Sequence, residues 1–273
     1  QPMAPHDAAA WIAEKARTAG GPIFVSGGPG EPLALTQVWR AAPDIMANTT
    51  LCGLLMPGVN TFDYSSLTPT TRLEVMLATP ALADALAKGR AIARPLHYSA
   101  IPDWISQRGI SVAIAHVSPP NAEGVCSFGP CADVVVAATQ SADIVFGLIN
   151  ARIPWISDAP RIEMDRFAAS CHVDTPLAGL EPAAPAAGDI IAHHVAALIA
   201  HDACLQVGIG KLPSAILGEL RDKRGLRCHG GLISPAHLAL LEAGCLRGRQ
   251  CVLRRTARDE TVAHGADRAH ARL

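Results

Sequence analysis

Short apolar runs alternate with longer stretches of helix-like spacing from the N-terminus to about Gly244, the layout of repeated β-α units. The runs 22–26, 50–55, 111–117, 132–138, 143–149 and 204–208 predict strands. Stretches 7–19, 71–88, 190–200, 212–223 and 235–243 predict helices, the second broken or kinked at Pro80, which removes a hydrogen bond and clashes with the preceding turn. Residues 180–188 read LEPAAPAAG, rich in Pro and Ala and followed by a new helix-strand-helix set, so a domain boundary is placed there. Three segments result: 1–180, 189–246, and 247–273, where the pattern fails. That last segment is crowded with Arg, Ala and His and has only Cys251, Val252 and Leu253 as an apolar cluster. It is expected to be a poorly ordered tail, or the product of a shifted reading frame or truncation in place of the natural continuation.

Composition sharpens the fold class. Of 273 residues, 49% are apolar yet only 4% aromatic, so Ala, Val, Ile and Leu must build the core, as in helices packed on a buried parallel sheet. The expected fold is α/β, and no internal repeat points to a solenoid. A formal net charge of -1 with both signs dispersed gives no polybasic face for nucleic acid or anionic lipid. No apolar run reaches the length of a membrane span, and Gln1 to Asp7 lacks the layout of a signal peptide, so a cytoplasmic location is expected. The eight cysteines show no C-x-x-C spacing and sit mostly in apolar stretches; buried reduced thiols and no metal site are expected. His193 and His194 are neighbours on a helix-like run and point apart, which suits a surface role better than chelation.

Chemistry concentrates at strand ends. Run 22–26 leads into Gly27, Gly28, Pro29, Gly30, Glu31 and Pro32 and then a helix-like stretch. Such a turn lets backbone N–H groups approach a phosphate or an oxyanion, because Gly tolerates φ > 0 and has no side chain in the way. It matches neither G-x-G-x-x-G nor the P-loop, and an ordinary βα turn reads equally well. A second turn of this kind holds Gly208, Gly210 and Lys211 before Pro213. Two such units suggest related folds in tandem, with ligand at the carboxyl ends of the strands. The stretch HVSPPNAEGVCSFG, residues 116–129, follows a strongly apolar strand and carries Ser118, Pro119 and Asn121. Asn150 ends another strand candidate, before Pro154.

Taken together, these pieces resemble the acetyl-CoA hydrolase/transferase family, which includes acetate, butyrate, 4-hydroxybutyrate and itaconate CoA-transferases. The resemblance rests on the Ser26 to Pro32 turn, His97-Tyr98-Ser99, the SPPN-x-x-G-x-x-S-x-G run, Asn150 with Pro154, the GIGKLPSAIL segment and His229-Gly230-Gly231-Leu232, all in the family's order over roughly residues 20–246. It implies two tandem Rossmann-like domains of the CoA-transferase/ribose-5-phosphate isomerase type with CoA between them, the second incomplete here. It also implies transfer of CoA between a short-chain acyl-CoA and a small carboxylate, or acyl-CoA hydrolysis, through a glutamyl-CoA thioester. The loop residues Gly27, Gly28, Gly30, Ser118, Pro119, Asn121, Asn150, Gly208, Gly210 and Lys211 then become oxyanion and CoA-binding candidates; a backbone donor aimed at a developing oxyanion is worth about 3–4 kcal/mol.

One departure matters. Many members of that family read His-Ser/Thr-Glu where this chain has His229-Gly230-Gly231, and Gly231 cannot act as the nucleophile. Glu219 and Glu242 lie nearby in sequence but in helix-like stretches that suit solvated side chains. A catalytically inactive CoA-binding relative is therefore a standing alternative. A sugar-phosphate isomerase or sensor shares the fold but would call for more Lys or Arg near the loops than Lys211 and Arg152 supply. A homo-oligomer is expected if an incomplete second domain leaves apolar surface uncovered.

Overall fold

The computed structural model describes residues 2–156, 158–179, 190–208, 210–230 and 234–253. The chain divides into two compact units, Gln1–Leu180 and Glu181–Leu273.

Unit 1 runs α1 (Pro5–Ala19), β1 (Ile23–Phe24), α2 (Leu33–Ala41), β2 (Thr50–Gly53), β3 (Arg72–Val75), α3 (Ala83–Ala87), β4 (Ala91–Ala93), α4 (Ile101–Arg108), β5 (Val112–Val117), β6 (Val125–Ser127), α5 (Val135–Ser141), β7 (Ile144–Asn150), β8 (Arg161–Glu163) and β9 (Ala169–Val173). Seven of the strands form one sheet in the order β4-β3-β2-β1-β5-β7-β9, every pairing parallel. Strands β6 and β8 form a separate antiparallel ribbon. Ile23 pairs with Leu51 on one side and Val112 on the other. The strand order thus reverses at β1, and the gap between β1 and β5 is the topological switch point.

The period of two explains how a chain poor in aromatics fills both faces. Ile23, Val25, Leu51, Leu73, Val75, Ile114, Phe146 and Leu148 join one buried cluster with Ile12, Leu35 and Trp39 from α1 and α2. Their neighbours Phe24, Cys52, Ala113, Ala115, Val117, Val145 and Ile149 join a second with Ile101 and Ile105 of α4 and Val135 and Ala138 of α5. Helix α1 buries Ala8, Ala9, Ile12, Ala13 and Ala16, begins with Pro5 and stops at Gly20, whose φ of 76° ends the helix without strain.

Unit 2 runs α6 (Ile190–Leu198), β10 (Cys204–Gln206), α7 (Lys211–Gly218), β11 (Leu226–Gly230), α8 (Pro235–Glu242) and β12 (Leu246–Leu253). Its strands form a parallel sheet in the order β10-β11-β12. A small core gathers Ala196, Leu217, Leu220, Leu226, Leu240 and Cys245.

Three expectations need correction. Residues 132–138 are not a strand: the VVVAAT run enters α5, started by Asp133 Oδ1, which accepts from the Val135 N–H at 3.0 Å. A short apolar run reads alike for a buried strand or a buried helix. Residues 71–88 are not one helix: they hold β3, a 3-10 turn at Pro80–Leu82 and the short α3. Leu73 and Val75 face one core while Glu74 between them pairs with Arg108, an alternation that belongs to a strand. The segment from Arg247 opens in β12, paired in parallel with β11; residues 254–273 lie outside the described residues.

Among the described residues no helix is long and apolar enough to cross a membrane, and no group of three or more His, Cys, Asp or Glu is placed to hold a metal ion. Cys52, Cys126, Cys131, Cys171 and Cys245 are buried free thiols and Cys228 is buried, whereas Cys204 of β10 is exposed.

Candidate functional site

The ends of β1, β5 and β7 meet at the switch point, and their hydrogen bonds form one connected set. Gly28 to Gly30 make a 3-10 turn after β1. Asn60, 2% exposed, clasps this turn from the β2 side. Its Oδ1 accepts from the N–H of Gly28 at 2.6 Å and of Met56 at 2.8 Å, and its Nδ2 donates to the Gly28 carbonyl at 3.1 Å and to Glu31 Oε2 at 2.8 Å. The other oxygen of Glu31 accepts from the Tyr64 hydroxyl at 2.9 Å. Glu31 is 3% exposed, and these two partners are neutral donors. Burial and the neighbouring Glu31 carboxylate push the Tyr64 hydroxyl well above its ordinary range, so it stays protonated and donates.

From the other side the turn is held by His116 of β5. Asn150 Oδ1 accepts from the N–H of Arg152 at 3.0 Å and of Thr175 at 3.3 Å, which fixes the orientation of its amide. Its Nδ2 therefore donates to the Thr175 carbonyl at 2.9 Å and to His116 Nε2 at 3.0 Å. With Nε2 accepting, the proton of His116 sits on Nδ1, 3.2 Å from the Gly30 carbonyl to which it donates. His116 is 1% exposed, and burial lowers its pKa to about 4 against a smaller raising effect of the Gly30 carbonyl. It is neutral at pH 7 and serves as a fixed link across three strand ends rather than as a base.

Two glycines here are required by space. A methyl group at Gly27 would overlap the Leu54 carbonyl oxygen, and one at Gly30 would stand 2.8 Å from Ser26 Cβ and 3.2 Å from Cys131 Cβ. The Cys131 thiol is pushed up by burial and by Asp133, so it stays protonated and is no nucleophile at neutral pH.

This geometry changes the expected roles. The N–H of Gly28 goes to Asn60, that of Gly30 to the Gly27 carbonyl at 3.1 Å and that of Glu31 to the Gly28 carbonyl at 3.3 Å. Pro29 has none. The turn therefore does not present Gly28 and Gly30 N–H groups to a ligand, because the 3-10 turn and Asn60 consume them. Ser118 is buried and its hydroxyl is spent, donating to the Pro119 carbonyl at 2.9 Å and accepting from Ser127 N–H at 3.0 Å. Pro119 and Asn121 are exposed. Asn121 Oδ1 accepts from the N–H of Glu123 and of Val125, so its side chain shapes the loop into β6. The structure thus brings together Gly27, Gly28, Gly30, Ser118 and Asn150 and leaves Pro119 and Asn121 on the rim.

In unit 2, Gly210 takes φ 138° and ψ 174° ahead of α7, and its carbonyl accepts from the Ser214 N–H at 3.2 Å. Gly208 and Lys211 are exposed, while Ile209 between them and Gly231 lie outside the described residues. Glu219 pairs with His193 at 3.5 Å with both side chains solvated, and Glu242 is exposed; neither is placed as a buried nucleophile.

Asn60, Tyr64 and Thr175 carry no local signal in the sequence, since each acts on a turn or strand end distant in the chain. Glu31 and His116 lay inside the segments singled out, but only the fold reveals what they hold.

The fold of this sheet is one the chain shares with a solved CoA-transferase, and the curated homologues of the chain are CoA-transferases. The 4-hydroxybutyrate coenzyme A transferase of Clostridium kluyveri is 27% identical over 229 residues, 82% of this chain and 53% of that protein. The succinyl-CoA:acetate/propanoyl-CoA:succinate CoA transferase of Fasciola hepatica is 29% identical over 59% of this chain and 35% of its own length. The chain spans about half the length, or less, of these curated relatives. Among solved structures, RipA from Yersinia pestis superposes with a TM-score of 0.79 at 21% identity, covering 100% of this chain and 66% of RipA. The 4-hydroxybutyrate CoA-transferase of Porphyromonas gingivalis superposes at 0.67 with 23% identity, covering 92% of this chain and 59% of its own; at these identities both speak for the fold alone. No family model matches the chain.

Proposed function

We propose that the chain acts in CoA transfer between a short-chain acyl-CoA and a free carboxylate, with acyl-CoA bound at the carboxyl ends of the unit 1 sheet. The observation that carries this reading is the joining of three strand ends at the switch point, where Gly30, His116 and Asn150 are linked at 3.2 and 3.0 Å. Parallel sheets bind ligands there because the crevice opens outside the strand ends. Kinship to CoA-transferases supports acyl-CoA as the ligand.

In the proposed chemistry a glutamate carboxylate attacks the thioester carbonyl, the C–S bond breaks and CoA leaves as thiolate. The thiolate then attacks the glutamyl carbonyl of the resulting anhydride, releasing the first acid as a carboxylate and leaving a glutamyl-CoA thioester. A second carboxylate runs the sequence in reverse, and water in its place gives hydrolysis. In unit 1 the residues on hand orient and exclude water: the clasp of Asn60 and the His116 link hold the turn, and the buried strand ends keep it dry.

A second reading is CoA binding without transfer, favoured by Gly231 in the sequence position where the family resemblance implies a glutamate. Incubating the chain with acetyl-CoA or butyryl-CoA and a labelled carboxylate, followed by borohydride trapping and intact mass analysis, separates the two. Label in the acyl-CoA pool with an adduct on a glutamate supports transfer. Calorimetric CoA binding without label exchange supports the second reading, and absence of binding refutes both. The exposed apolar side chains Ile190, Ile191 and Leu198 of α6 support a homo-oligomer, which light scattering would test.

A further inference from the structure

Three buried side-chain polar atoms among the described residues have no hydrogen-bond partner: Ser26 Oγ, Thr79 Oγ1 and Arg94 Nε. Arg94 Nε lies 3.7 Å from Glu74 Oε2, so its charge is answered. Thr79 precedes the 3-10 turn at Pro80–Leu82, away from the switch point. Ser26 differs in place: it follows β1, the strand at which the sheet order reverses, and stands beside a turn whose own N–H groups at Gly28, Gly30 and Glu31 are already spent. A methyl carbon built on Gly30 would lie 2.8 Å from Ser26 Cβ and 3.5 Å from Ser26 Oγ, so the bare glycine is what leaves room beside the Ser26 side chain. Ser26 is 1% exposed, and a buried hydroxyl without a partner destabilises the protein that keeps it. Such a group persists where a bound partner completes it.

We infer that Ser26 is a ligand-binding residue whose hydroxyl donates to the acyl oxygen of acyl-CoA. This rests on the CoA-transfer reading and narrows it to the acyl end of the ligand. The donor expected of the Gly28 and Gly30 backbone is supplied instead by a side chain one residue before the turn. The turn at Gly28–Gly30 beside this hydroxyl is tied to β5 by the His116 contact to the Gly30 carbonyl.

The test is Ser26→Ala in the full chain, titrated calorimetrically with CoA and with acetyl-CoA and melted without ligand. The expected result is an unliganded melting temperature at or above wild type, unchanged affinity for CoA, which has no acyl oxygen, and acetyl-CoA binding weakened about tenfold, the ordinary worth of one hydrogen bond. Equal affinity of variant and wild type for acetyl-CoA overturns the assignment, and so does an equal loss for both ligands. A wild type that binds neither ligand sinks the CoA reading itself, whereas a wild type that binds both while Ser26→Ala matches it sinks only the role of Ser26. Should the alanine variant not fold, Ser26→Cys keeps the shape with a weaker donor, and the same contrast between the two ligands decides.

Discussion

Replacing Asn60 by Ala removes the clasp on the glycine turn, and the structure sets the cost. Three groups lose a partner: the Gly28 N–H, the Met56 N–H and Glu31 Oε2. The Gly28 carbonyl keeps the Glu31 N–H. Each orphaned buried group costs about 1–3 kcal/mol, more when charged. Met56 is only half buried and water can reach it, so the expected loss is about 3–5 kcal/mol out of a typical total of about 5–15 kcal/mol. For a unit of this size that corresponds to a drop of roughly 10 °C in melting temperature. Tryptophan fluorescence reads the effect cleanly, since Trp11, Trp39, Trp104 and Trp155 all lie in unit 1. Asn60→Asp refines the test. It keeps the acceptor for both N–H groups but sets a second carboxylate where Glu31 had a donor, so it too should be less stable than wild type. An Asn60→Ala or Asn60→Asp variant within about 0.5 kcal/mol of wild type would refute the clasp.

Other outcomes follow from the same contacts. His116 titrates at about 4 in the fold against 6.5 when unfolded. Its contribution is therefore complete above pH 6.5 and is lost as pH falls from 6.5 toward 4, by about 3 kcal/mol at most; urea titrations of wild type and His116→Gln across that window should diverge, and parallel curves would contradict the neutral link. Gly27→Ala should fail to hold the native turn, because the Leu54 carbonyl occupies the methyl position; a variant with wild-type stability would mean the strand end yields more readily than a packed sheet should. Arg108→Met strips Glu74 of its bidentate partner at 2.7 and 3.0 Å and leaves Arg94 at 3.7 Å. About 2 kcal/mol should be lost on chemical denaturation, and a neutral effect would show that Arg94 alone suffices.

The parallel sheet was legible because each central strand is a short apolar run before a helix-like stretch, and both signals are local. Strand β3 was not, since Thr71 to Val75 flow into Met76 and Leu77 and the join mimics a helical face; only the pairing of Leu73 with Leu51 and Ala91 makes it a strand. The same limit applies at the site. Gly27, Gly28, Gly30, Ser118 and Asn150 announce themselves as unusual residues at strand ends, whereas the role of each depends on where its hydrogen bonds go. Gly28 looks like a ligand donor until Asn60, thirty-two residues on, takes its N–H, and Asn121 looks like a contact until its amide is found closing its own loop.

The most direct test of an acyl-CoA site at these strand ends is hydrogen–deuterium exchange of the full chain with and without acetyl-CoA. The account predicts ligand-dependent protection confined in unit 1 to peptides covering residues 24–33, 114–128 and 148–156. Protection elsewhere in unit 1 with none at these three, or no ligand-dependent change at saturating acetyl-CoA, would contradict it.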